Sequence, residues 1–184
     1  MLALKLGLSL NTIKPIGSWT PESESSALAW WKKATGVTTE EGKLTDWLDQ
    51  IGNNHNFRQA TEEERPTYTS SGANEGTVTF DSSATNNLEI TTQITFAANS
   101  AFTVGMRVNV GSTGSLFTDN TTSGEFIRIM STTQLRIKLS NGTSRNFDLS
   151  EGVWTDKKTI IVTRTTGGLI TVLATNLQNY LKDL

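Results

Sequence analysis

Between Thr77 and Ala174 the chain is cut into short runs that mostly share one period, and that period restricts the folds open to it. The runs are TVTF, NLEIT, AFTVGMRVNV, GEFIRIM, QLRIKLS, SRNFDLS, KKTIIVTR and GLITVLA. They are rich in Val, Ile, Thr and Phe and most alternate apolar with polar, the signature of β-strands with one face buried. No helix-length periodic segment interrupts them. Asn141-Gly142, between LRIKLS and TSRNFDL, predicts a type I′ hairpin, because both central residues of that turn need positive φ. Gly111-Ser112-Thr113-Gly114 and Thr165-Thr166-Gly167-Gly168 predict two further hairpin loops. Many short strands joined by tight turns lead to an all-β fold, an antiparallel β-sandwich or jelly roll.

The amino-terminal segment MLALKLGLSL carries the same period in another form. Leu2, Leu4, Leu6, Leu8 and Leu10 fall on one face of a strand, and Ala3, Lys5, Gly7 and Ser9 on the other. Burying each leucine is worth about 1.5–3 kcal/mol, so the stripe predicts a dry surface against it. Lys5 interrupts the apolar run and Asn11-Thr12-Ile13-Lys14-Pro15 follows it, which does not suit a secretory signal. No stretch approaches the roughly 20 apolar residues of a membrane span. Pro15, Gly17 and Pro21 punctuate a connection after the leucines. The expected organisation is a strand and connecting arm over 1–17, with Ile13 joining the leucines as docking residues, and a β-sandwich domain over 18–184. One short helix is expected after the arm. Thr20 would cap it, Pro21 would open it, Ala27, Trp30, Trp31 and Ala34 would form its stripe, and Gly36 would close it. A short strand through the same tryptophans would also bury them.

Composition excludes several functions. A chain of 184 residues suits one domain with a proper core. Net charge is −2, and the lysines and arginines form no stripe that would follow a phosphate backbone, so nucleic acid is not an expected partner. With no cysteine there is neither a disulfide framework nor a thiolate metal site. His55 is the sole histidine and has no second imidazole to share a metal, so it reads as a solvent-facing turn residue. Glu62-Glu63-Glu64 reads as a solvated loop, since acid–base pairs need carboxylates held apart in a cleft. No G-x-S-x-G elbow and no phosphate-cradling loop occurs. No catalytic, cofactor or metal site is therefore expected. Among the five tryptophans, Trp31, Trp47 and Trp154 are expected in the core, and Trp19, in GSWTP, is expected to face a partner or a glycan.

Four segments carry a family resemblance. They are Trp30 to Thr39 (WWKKATGVTT), Lys43 to Asn54 (KLTDWLDQIGNN), Arg58 to Tyr68 (RQATEEERPTY) and Val78 to Asp81 (VTFD). In this order they resemble the concanavalin A-like lectin/glucanase domains, also described as laminin G-like, of structural proteins of tailed bacteriophages. Trp47, Asp49, Gly52, Asn53, Gln59, Ala60, Thr61, Arg65, Pro66, Tyr68, Phe80 and Asp81 stand at the matching places. Ile161 to Arg164 with the Gly-Gly turn after it resembles the family's late strand pair. The resemblance implies a jelly-roll sandwich in a non-enzymatic virion protein, assembled in the host cytoplasm. Its expected role is a capsid decoration or outer-surface protein. The implied partners are other virion subunits, the major capsid protein or a fibre or tail component, together with further copies of the chain. A glycan-binding module of a tail or head fibre, stacking Trp19 on sugar, is the alternative. Ile51 replaces the family's turn serine, and Lys33 stands where many relatives carry an acid, which argues against a carboxylate-based calcium or sugar site. The Glu-x-Asp-x-(x)-Glu strand that the resemblance would require of a glucanase is missing. Relatives continue past the equivalent of LITVLATN with further strands, so Leu2 to Leu10 are expected to cover the edge or face left open, in their own sandwich or on a neighbouring subunit.

Overall fold

Among the described residues the regular elements are antiparallel β-strands and two short 3-10 turns. The computed structural model describes residues 20–96, 100–118, 126–138, 144–149 and 158–175. These residues divide at Ile94/Thr95 into two units.

The first unit holds one six-stranded antiparallel sheet made of β1 (Val37–Glu40), β2 (Lys43–Trp47), β3 (Phe57–Arg58), β4 (Thr67–Thr69), β5 (Thr77–Thr79) and β6 (Glu89–Ile90). β2 is its hub and pairs with β1, β3 and β4. Glu41 and Gly42, at φ 48° and 76°, form the two-residue link between β1 and β2, where Glu40 pairs with Lys43. Both central residues have positive φ, the requirement of a type I′ turn. Leu44 and Pro66 are its fully buried large apolar side chains among the described residues, and the Pro66 carbonyl accepts the Leu44 N–H at 2.9 Å.

The second unit holds two sheets. β8 (Gly114–Phe117), β9 (Ile127–Ser131), β10 (Gln134–Lys138) and β11 (Ser144–Asp148) lie in the order β11-β10-β9-β8. β7 (Phe102–Val108), β12 (Lys158–Arg164) and β13 (Ile170–Thr175) lie in the order β13-β12-β7. Period-two burial sends Ile127, Ile129, Leu135 and Ile137 from the first sheet, and Phe102, Ile160, Val162 and Ile170 from the second, into one core. Phe96, Phe102 and Phe126 cluster at its margin, with ring centroids 4.8–5.8 Å apart.

Several expectations are corrected. The helix after Thr20 is absent: Pro21–Ser23 form one 3-10 turn, and the chain through Trp30 has no regular secondary structure. Its main-chain groups have distant partners instead, the Trp30 N–H on Asp49 and the Trp30 carbonyl on the Gln50 N–H, so no i to i−4 ladder forms there. The Gly111–Gly114 loop is no hairpin, because β7 and β8 belong to different sheets and the chain crosses between them. The β10–β11 hairpin exists, with Lys138 paired to Ser144, and the Asn141-Gly142 turn lies outside the described residues. The Thr165–Gly168 hairpin is present. Gly168 N–H donates to the Thr165 carbonyl at 2.9 Å, Thr165 N–H donates to Leu169 at 3.0 Å, and Gly168 has φ 82°, as in a three-residue loop ending in a bulge.

Candidate functional site

The residues of the family resemblance converge in the first unit, on two buried polar side chains. Asp49 follows β2 and is 8% exposed. A carboxylate so placed needs hydrogen-bond donors to offset lost hydration. Its Oδ1 accepts the Trp30 and Ile51 N–H groups, each at 2.9 Å, and its Oδ2 accepts the Asn53 N–H at 3.0 Å. Asn56 Oδ1 in turn accepts the Asp49 N–H at 2.9 Å, and Asn53 Nδ2 donates to the Leu28 carbonyl at 2.9 Å. The DQIGNN loop thereby clips the segment that precedes β1. Trp31 and Trp47 tighten the clip: their indole N–H groups donate to the carbonyls of His55 at 2.8 Å and Lys32 at 3.0 Å. The Trp31 ring lies 4.2 Å from that of Phe57. Both tryptophans are half-buried, short of the full core placement expected.

Gln59 is 5% exposed and serves the second clasp. Its Oε1 accepts the Thr61 N–H at 2.9 Å, and its Nε2 donates to Asn87 Oδ1 at 2.6 Å and to Glu64 Oε2 at 3.2 Å. Asn87 Nδ2 donates to the same Glu64 oxygen at 3.1 Å. Arg65 donates to the Gln59 carbonyl at 3.1 Å, to the Ala60 carbonyl at 3.0 Å and to Glu40 at 2.7 Å. Asn86 Nδ2 donates to the Arg65 carbonyl at 3.2 Å, and its Oδ1 accepts the Asp81 N–H at 3.0 Å. Asp81 Oδ1 accepts both the N–H and the hydroxyl of Ser83, at 2.8 and 2.7 Å. Those bonds, the main-chain one foremost, hold its carboxyl below the ordinary aspartate range.

These hydrogen bonds tie the loops of the first unit to one another and to its strands. Asp49 spends its carboxylate on main-chain groups, and Gln59 and Arg65 divide their polar atoms between main-chain groups and the side chains of Glu64, Asn87 and Glu40, all in the same unit. His55 is half-buried, with Nδ1–H donating to the Thr92 carbonyl at 2.6 Å. Glu62 and Glu63 are exposed as expected, whereas Glu64 is drawn into the Gln59 clasp. Among the described residues no group of three or more His, Asp or Glu side chains is placed to hold a metal ion. Sequence reasoning does not single out Asn56, Asn86 or Asn87; the signals were the Asn86-Asn87 pair and Asn56 just after Asn53-Asn54.

The sequence-derived docking residues Leu2, Leu4, Leu6, Leu8, Leu10 and Ile13, with Trp19 and Trp154, lie outside the described residues. Within them, the exposed large apolar side chains are Leu28, Leu48, Phe80, Leu169 and Leu173. Leu169 and Leu173, 64% and 53% exposed, sit two register steps apart along the β13 edge of the three-stranded sheet. Comparison with protein-family models, with curated proteins and with solved structures finds no match.

Proposed function

We propose that the chain is a non-enzymatic structural protein of a tailed-phage virion, a capsid decoration or outer-surface protein docked through its N-terminal arm. In this reading its antiparallel sheets belong to the concanavalin A-like jelly roll of residues 18–184. One observation carries it: the residues at the family positions, Asp49, Gln59 and Arg65 above all, bind main-chain groups and stabilise loops, which is the work of a display scaffold. The leucine stripe from Leu2 to Leu10 supplies the docking element, through its gross burial energy of about 7–15 kcal/mol.

Incorporation into particles tests the reading. Virions assembled with a chain in which Leu4, Leu6 and Leu8 are changed to Asp are expected to lack the protein, while the intact chain is retained through purification. Retention of the variant at the level of the intact chain would overturn the docking role.

A further inference from the structure

The edges of the sheets are not equally protected. A sheet edge exposes unpaired N–H and C=O groups, and natural proteins guard it with charges, bulges, prolines or brevity. In the second unit β11 presents the exposed charges Arg145 and Asp148, and β7 presents the exposed Arg107. The register of β8 is broken between Ser115 and Phe117. In the first unit β1, β5 and β6 are two to four residues long. β13 has none of these guards. It pairs without a register shift from Ile170 opposite Arg164 to Thr175 opposite Thr159, and LITVLAT contains neither charge nor proline. It also exposes Leu169 and Leu173 beside it. Seven uncharged residues, four of them β-branched, at an edge that no described strand covers form a template for another strand.

Register identifies the groups that would receive it. Thr165 and Leu169 share a ladder hydrogen bond. Antiparallel alternation then directs the main-chain groups of Thr171 and Leu173 toward β12, and those of Ile170, Val172 and Ala174 away from it. Leu169, Thr171 and Leu173 share the face opposite the core, where Leu173 continues the row of Gly105 and Ile161.

We propose that the strand formed by Leu2 to Leu10 of a second copy adds to β13, bonding Ile170, Val172 and Ala174 and laying its leucines over Leu169 and Leu173. Three properties match donor to edge. The arm repeats leucine every second residue, so alternate leucines match the four-residue spacing of Leu169 and Leu173. Its single charge, Lys5, falls on the opposite face. The connection after it, residues 11–19, can extend roughly 30 Å. The arm and β13 are different stretches of the chain, so the pairing closes as a reciprocal exchange between two copies or repeats around a ring or along a filament. This inference rests on the docking role proposed above and names the partner surface.

Hydrogen exchange resolved to single amides on the full-length chain tests it. In the associated protein the Ile170, Val172 and Ala174 amides are expected to exchange ~10-fold or more slowly than in a chain carrying Leu4→Asp, Leu6→Asp and Leu8→Asp, while those of Thr171 and Leu173 stay slow in both. Diluting the intact chain to monomer should release the same three amides. Protection that survives dilution or the arm substitutions, or fast exchange at these amides in the associated chain, would overturn the proposal. If the variant leaves the particle while the three amides are unaffected, docking stands and β13 is not its site. If the variant stays on the particle, the docking role itself has failed.

Discussion

Shortening Asp49 to alanine would strand the N–H groups of Trp30, Ile51 and Asn53 in a place water reaches poorly. The expected cost is about 2–4 kcal/mol, read by urea unfolding, and a loss under about 1 kcal/mol would contradict the clasp. Asp49→Asn keeps the Oδ1 acceptor and loses the other, so its cost should be smaller. Gly76 is constrained twice. It is buried at φ 72°, and a Cβ there would meet Lys33 Cγ at 2.6 Å. Gly72 has φ 82° with nothing within 4 Å, so Gly76→Ala should destabilise by roughly 1–3 kcal/mol and Gly72→Ala by less, compared by thermal denaturation. Asp81 gives a pH signature. Because Ser83 depresses its folded-state pKa below 3.8, its contribution is complete above that value and is lost as pH falls through the lower one. A carboxyl carbon NMR titration should place Asp81 below the usual range, and Ser83→Ala should raise it part of the way back, since the main-chain donor remains.

At the level of the strand, burial decides which substitutions matter. Leu135 and Ile137 on β10 are fully buried between the second unit's sheets, and alanine at either should cost about 2–5 kcal/mol in denaturant unfolding. Leu173→Ala, at an exposed edge, should stay within about 0.5 kcal/mol. The same contrast marks what could be read in advance. β7, β10, β12 and β13 have five to seven residues each and bury alternate side chains, so period two stood out in the sequence. β1 to β4 have two to five residues rich in Thr, Lys, Glu and Asp, and they are positioned by loop side chains such as Gln59 and Arg65, which leaves no period to detect. Ala27, Trp30, Trp31 and Ala34 do match a helical stripe, but Asp49 and Gln50, nearly twenty residues away, claim the Trp30 main chain. Tertiary hydrogen bonds there override a local pattern. Asp49 and Gln59 were visible through the family resemblance, yet their part as clasps depended on donors that only the folded loops bring together.

Across the whole chain, two devices divide the work. The first unit, with a small apolar core, is tied by side-chain to main-chain hydrogen bonds; the second relies on a shared apolar core between its sheets. Leu2 to Leu10 lie outside the described residues, and association is the role proposed for them. A reconstruction of the assembled particle measures this directly. It should reveal this chain on the outer surface, with residues 2–10 as an added strand whose leucines are covered by a neighbouring subunit. Finding those residues in solvent or coiled as a helix, or finding no copy of the chain on the particle, would contradict the docking role.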